Sequence, residues 1–223
     1  MLKAENIVKF YDSAEGRTKV LDGLDFKANA GELCMITGPS GCGKSTLLNV
    51  LSCLDTFNSG ELVICGRNIW DMTRSDVCRM RRRHTAFIFQ GYNLISSMSA
   101  TENVELGLKY RRVARSKRTQ LARSALEDVG LGHRLDYLPH QLSGGQQQRV
   151  AIARALVLQP EILFCDEPTG NLDKASAAVV MEKIIQLKNS GTAVVMITHD
   201  YSLLGAADTV YTIKNGRLEK FTV

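Results

Sequence analysis

The chain has 223 residues, enough for one sizeable α/β domain that can carry a subdomain. Its hydrophobic content of 44% and charged content of 23% are ordinary for a globular protein, and a net charge of +5 is too small to argue for a nucleic-acid partner. No apolar run reaches the ~18 residues of a membrane span, and residues 1–6 lack the charged-then-apolar layout of a signal peptide, so the expectation is a cytosolic chain that reaches a membrane only through a partner.

In chain order, residues 2–10 read as a strand, the polar stretch 12–19 as a turn or loop, and 20–28 as a second strand, with Leu24 and Phe26 alternating against Asp25 and Lys27. Leu33, Met35 and Ile36 then lead into Gly38-Pro39-Ser40-Gly41-Cys42-Gly43-Lys44-Ser45-Thr46, which fits G-x-x-x-x-G-K-[ST]. Leu47, Leu48, Val50, Leu51 and Leu54 follow at helical spacing, which supplies the strand, loop and helix that the motif requires. Glycines let the backbone N–H groups turn inward around phosphate oxygens, and the helix N-terminus adds its dipole. Lys44 would meet the β- and γ-phosphates, and the Ser45 hydroxyl would ligate Mg²⁺.

Residues 61–69 predict a strand pair broken at Gly66, and 73–84 a basic helix with a solvated face. Residues 86–89 form a short apolar strand ending at Gln90, and 91–99 are loop-like. From 101 to 125 the chain is helical and carries a second basic cluster, Arg111, Arg112, Arg115, Lys117, Arg118 and Arg123, also expected to be solvated. Ser143 is a plausible N-cap for a helix over 147–158. Residues 162–165 and 193–197 are continuous apolar runs of the kind found in central parallel strands, separated by a helix over 174–189. Residues 209–221 predict a hairpin around Asn215-Gly216.

The six cysteines, at 34, 42, 53, 65, 78 and 165, form no C-x-x-C pair and have no histidine at metal-ligand spacing, which points to free thiols in a reducing compartment. Cys42 lies in the phosphate loop beside Lys44, so it is expected to be an alkylation target and not a catalyst.

Four apolar strands therefore end in polar residues: the phosphate loop, Gln90, Asp166-Glu167 and His199. In an open parallel sheet the site lies at the carboxyl ends of the strands, so these stretches should converge. Mg²⁺ needs hard oxygen ligands, which Ser45 and Asp166 provide, with the Gln90 amide able to touch the metal or the water. Glu167 suits a base for the attacking water, and His199 can reach a γ-phosphate. Tyr11 offers a flat ring to an adenine. A second glycine-rich turn, Ser143-Gly144-Gly145-Gln146, is left over, since one nucleotide does not need two cradles from one chain. A second copy of the chain could bring it to the other side of the nucleotide.

The sequence resembles the ATPase subunits of ATP-binding-cassette transporters along essentially its whole length. The most specific motif is Leu142-Ser143-Gly144-Gly145-Gln146-Gln147-Gln148-Arg149, about twenty residues before the segment 162–167. The resemblance implies ATP and Mg²⁺ as cofactors, an ATP-dependent homodimer, and an integral membrane permease as partner on the cytoplasmic side of the membrane, with no nucleic acid. It implies Tyr11 as the adenine-stacking aromatic, Ser143 to Gln146 on the partner protomer's γ-phosphate, Asp173 at the dimer interface and His199 as the switch histidine.

The implied fold is an α/β P-loop NTPase with a mostly parallel core sheet, an N-terminal antiparallel β subdomain and an inserted α-helical subdomain. A single domain would span 1–223, with 1–90 and 158–223 as the nucleotide-binding core and 91–157 as the helical part. Finer motifs, 87–90, 100–104 and 167–173, resemble the branch of lipoprotein-release, macrolide-export and cell-division ATPases. That branch leaves open an alternative in which the ATPase regulates or transmits force and moves no substrate.

Overall fold

The computed structural model describes residues 1–13 and 16–221. Strands β1 (Leu2–Ser13) and β2 (Gly16–Ala28) form a long antiparallel hairpin, and β1 pairs on its other edge with β4 (Ser59–Ile64), which continues into β5 (Arg67–Asn68). The polar stretch 12–19 is not the loop its composition suggests. Strand pairing runs on through Tyr11↔Thr18, Asp12↔Arg17 and Ser13↔Gly16, while residues 14 and 15 lie outside the described ones. This end of the ribbon buries neither face, so it carries no apolar alternation to read. It is held by cross-strand contacts instead: Arg17 lies 4.0 Å from the Phe10 ring centroid and donates to Asp12 at 2.8 Å.

The second sheet has the order β10-β9-β3-β8-β7-β6. Strands β3 (Leu33–Thr37), β6 (Thr85–Ile88), β7 (Ile162–Asp166), β8 (Ala193–Ile197) and β9 (Thr209–Lys214) are parallel, and β10 (Arg217–Phe221) closes the predicted hairpin. The continuous apolar runs are explained by burial on both faces. Leu33, Met35, Leu163, Cys165, Val194 and Met196 face the helical side, where α5 (Gly144–Leu156) and α6 (Lys174–Asn189) supply Val150, Ile152, Val180 and Ile184. Cys34, Ile36, Phe164, Val195 and Ile197 face α1 (Lys44–Leu51) and the antiparallel sheet through Leu47, Leu48, Ile7 and Leu62. Each fully buried side chain of this size contributes about 1.5–3 kcal/mol.

Between β6 and β7 the chain is helical: α3 (Ala100–Tyr110), α4 (Arg115–Asp128) and α5. The helix read over 101–125 is two helices, broken where Arg112 takes a left-handed φ of 63°. Helix α5 starts three residues earlier than expected, directly after Ser143, and ends at Leu156. Helix α2 (Arg74–His84) carries the first basic cluster. The second cluster divides. Arg112, Arg115, Lys117 and Arg123 are exposed, but Arg111 is not a solvated charge. Its guanidinium donates to the Arg82 carbonyl at 2.8 Å and to the Leu158 carbonyl, tying the end of α3 to α2 and to the end of α5. Arg118 forms a half-buried ion pair with Glu105 at 3.0 Å.

The segment 91–99 has no regular structure, yet it is firmly held. The fully buried Asn103 accepts from the Ile95 amide and donates to the Ile95, Met98 and Ser99 carbonyls. Arg154 on α5 donates to the Tyr92 and Asn93 carbonyls at 2.7 and 2.6 Å. Among the described residues, no helix is long and apolar enough to cross a membrane.

Candidate functional site

The carboxyl ends of β3, β6, β7 and β8 lie along one edge of the parallel sheet, as the registers require. At the end of β3, Gly38 and Gly43 have φ of 149° and 100°. A Cβ on Gly38 would sit 2.8 Å from Ile213, and one on Gly43 would sit 2.9 Å from Val20. Gly43 caps α1 with no side chain, and the first turn of α1 holds no acidic residue. Helices α2, α3, α5 and α6 have side-chain caps, whereas α1, like α4 after Ala114, has none, and its first N–H groups face the glycine loop with no side-chain acceptor. Lys44 folds back over the loop and donates to the Gly38 and Pro39 carbonyls, each at 2.9 Å, which places its ammonium over the space framed by 38–43. Ser40, Gly41 and Cys42 complete that loop, and Thr46 follows Ser45 in the first turn of α1.

Ser45 and Asp166 are neighbours, close enough for the Ser45 hydroxyl to favour the Asp166 carboxylate. Burial pushes the Asp166 carboxyl above its ordinary value and the neighbouring Glu167 charge adds to this, while Ser45 and Lys44 pull the other way. A buried carboxylate that is short of positive charge, opposite a hydroxyl and beside a phosphate cradle, is a donor set suited to Mg²⁺. A carboxyl with a raised folded pKa is best tolerated in its protonated form, so it costs stability as pH rises from its ordinary 3.8 through the raised value. Asp166→Asn should therefore melt above the parent chain in nucleotide-free, metal-free buffer at neutral pH. The difference should shrink on acidification, and equal melting curves across that range would remove the electrostatic reading.

Glu167 follows with a left-handed φ of 47°, its amide bonded to the Ile197 carbonyl at 3.1 Å. That turn points its carboxylate along the sheet edge. Gln90 Nε2 donates to Glu167 Oε2 at 2.9 Å, and His199 Nδ1 lies 3.1 Å from Glu167 Oε1. Residues at the ends of β6, β7 and β8 thus meet on one carboxylate, as the sequence led one to expect. Of the two places open to the Gln90 amide, the metal and the water, its hydrogen bond puts it on Glu167, the carboxylate expected to face the water.

Tyr11 is half-exposed and anchored. Its hydroxyl donates to Asp55 at 2.6 Å, and Lys9, bonded to the same carboxylate at 3.0 Å, lies 4.6 Å from the ring centroid. Thr46 is a further hydrogen-bond neighbour of that hydroxyl, which sets Tyr11 beside the start of α1. Sequence reasoning missed Asp55. Its only signal is an acidic residue just past the end of α1, in a stretch with no motif of its own.

Ser143 to Gln146 stand apart from this cluster. Ser143 Oγ accepts from the Gln146 amide and Gln146 Oε1 accepts from the Ser143 amide, so the turn caps its own helix. A Cβ on Gly144 or Gly145 would meet Tyr92 or Leu172, and no hydrogen bond among the described residues links the turn to 38–46. Within one chain, the second glycine turn does not complete the first. Asp173 caps α6 through the Ser176 amide at 2.9 Å.

Comparison with known proteins places this arrangement. The pattern defining the ABC transporter family matches residues 21–170. The chain is 45% identical to an ABC transporter ATP-binding protein of Methanocaldococcus jannaschii, covering 98% of this chain and 97% of the relative. The chain belongs to the ABC transporter family. It is 44% identical to the lipoprotein-releasing system ATP-binding protein LolD of Psychrobacter arcticus, over 99% of both chains. It is 40% identical to the macrolide export ATP-binding/permease protein MacB of Hyphomonas neptunium, of which it spans only 34%. Its fold superposes with a TM-score of 0.94, at 35% identity and full coverage of both chains, on the ATP-binding cassette MJ0796, solved as a dimer in a post-hydrolysis state with ADP and Pi. The chain has the ABC ATPase fold, a P-loop NTPase core, and its two sheets are the mostly parallel and the antiparallel one that the family resemblance implied.

Proposed function

We propose that this ABC protein is a Mg²⁺-dependent ATPase whose ATP-driven dimerisation powers a membrane permease from the cytoplasmic face. The observation that carries the reading is the Glu167 carboxylate, held between Gln90 and His199 and one residue beyond the Ser45–Asp166 pair. Lys44, the backbone N–H groups of the 38–46 loop other than Pro39 and the α1 N-terminus bind the phosphates; Ser45 and Asp166 would hold Mg²⁺, which would supply positive charge against the phosphates. Glu167 takes the proton of the attacking water, and Gln90 and His199 fix its carboxylate and sense the γ-phosphate. Tyr11 stacks on the adenine. Ser143 to Gln146 of a second copy close the other side, which explains why they stand apart from the loop within one chain. Residues 1–90 and 158–223 form the nucleotide-binding core, and 91–157 form the arm that carries closure outward. The lipoprotein-releasing and macrolide-export relatives favour transport over a purely force-transmitting role.

The permease should dock in the groove of about 930 Å³ between α2, the end of β6 and α3. Phe87, Phe89, Leu158 and the exposed Tyr110 form its apolar wall, with Arg79 and Arg112 at the rim. Tyr110→Glu should abolish co-purification of a transmembrane partner from detergent-solubilised membranes while leaving ATP binding intact. If that variant still carries the partner, the docking assignment fails. If the parent chain carries none, the coupling to a membrane subunit fails.

A further inference from the structure

We propose that Cys65, His84 and Glu161 form a zinc-binding site at the end of the core sheet opposite the nucleotide. Their ligand atoms all lie within 4.8 Å of one another. The sequence spacing hides them. Cys65 sits in the turn between β4 and β5, His84 ends α2, and Glu161 immediately precedes β7. They converge because β6 and β7 are parallel neighbours that start together, Thr85 opposite Ile162. His84 and Glu161 are the residues just before that pair. Gln90 and Glu167 lie beyond its other end, about 20 Å away past a five-residue strand.

The ligand set and its mounting both support an ion. His84 Nδ1 and Glu161 Oε1 already meet at 2.5 Å, and the Cys65 thiol lies within 4.8 Å of both. Tetrahedral Zn²⁺, with bonds of about 2.0–2.1 Å to nitrogen and about 2.3 Å to sulfur, needs ligand atoms about 3.3–3.8 Å apart. The His84 Nδ1–Glu161 Oε1 pair is closer than that and the outer limit of the triad is 4.8 Å, so an ion would enter by opening the His84–Glu161 contact. The backbone is fixed on every side. The Glu161 amide donates to the His84 carbonyl at 2.9 Å, the Ala193 amide donates to the Glu161 carbonyl at 2.9 Å, and the Cys65 amide donates to the Met1 carbonyl at 2.8 Å. Cys65 holds a left-handed φ of 50°, which turns its side chain back toward the sheet. The His84 and Glu161 side chains are 35% and 48% exposed, so an ion can arrive from solvent and a water can fill the fourth position.

The chemistry selects the metal. One sulfur, one imidazole nitrogen and one carboxylate suit Zn²⁺, whereas Mg²⁺ and Ca²⁺ prefer all-oxygen sites. The site is therefore chemically distinct from the Ser45–Asp166 pair. Zinc here would cross-link the antiparallel sheet, through Cys65, to the start of the core sheet, through His84 and Glu161.

The test titrates the nucleotide-free full chain with Zn²⁺ against a chromophoric chelator, beside Cys65→Ser, His84→Asn and the control Cys78→Ser. One equivalent should bind to the parent and to the control. Cys65→Ser and His84→Asn should each weaken binding at least about tenfold, and zinc should raise the melting temperature of the parent but not of these two. Retained ATP binding shows that the variants fold. Should either fail to fold, Co²⁺ added to Cys78→Ser decides, since tetrahedral thiolate coordination gives a charge-transfer band that the proposal requires. Failure of the parent to compete with the chelator, parental affinity in the two ligand variants, or a cobalt spectrum without that band would each overturn the site.

Discussion

Glu167→Gln should lower ATP turnover by about 10²–10⁴-fold, the range that a positioned general base supplies, and should leave ATP binding intact. The substitution is nearly isosteric. Its amide oxygen can still accept from Gln90, and its amide nitrogen can donate to a neutral His199 ring, so the turn at φ 47° has no reason to rearrange. Only the capacity to take a proton from water is lost. The composite site should then stay shut: with ATP and Mg²⁺ the variant should elute as a dimer on gel filtration, and with ADP as a monomer. A variant that remains monomeric with ATP would remove the two-chain site, and one that hydrolyses at the parent rate would remove Glu167 as the base.

The second large effect comes from mixing two inactive chains. Lys44→Ala loses the ammonium held above the phosphate loop by Gly38 and Pro39. Ser143→Arg fills the turn proposed to face the other protomer's nucleotide and breaks the cap on Gln146. Each variant alone should lose about 10²-fold or more in turnover, because removing preorganised groups aimed at developing charge costs that much. In a mixed two-fold dimer, one site inherits both defects and the other inherits neither. With random pairing, half of the dimers are mixed and each holds one sound site of two, so up to about a quarter of the parent rate should return. A mixture as inactive as its components would show that each chain builds its site alone.

The core was legible because burial left a mark on it. β3, β7 and β8 are apolar on both faces, and sequence shows such runs directly. The same logic failed at 12–19, where an exposed ribbon made of Asp12, Arg17 and Lys19 has the composition of a loop and the hydrogen bonding of a strand. It failed again at Arg111, since the carbonyls that receive its guanidinium come from Arg82 and Leu158, far off in sequence. The site followed the same division. Lys44, Ser45, Asp166 and Glu167 could be placed because each ends a strand or begins a helix, so topology alone brings them together. Asp55 beneath Tyr11, Arg154 beneath Tyr92, and the Cys65–His84–Glu161 triad have no local pattern. Their roles exist only as contacts between distant segments.

Arg154 has a mechanical consequence. It projects from the same helix whose first turn is Gly144 to Gln146, and it grips the carbonyls of Tyr92 and Asn93. Helix α5 is thirteen residues long, about 20 Å of nearly incompressible rod. Gln90, bonded to Glu167, is only two residues from Tyr92, a tether of at most about 7 Å. A pull on the far end of the rod and a shift at the catalytic carboxylate therefore arrive at one short length of chain. With the proposed two-chain site, that length would feel both the nucleotide in its own cradle and the one held by the second copy.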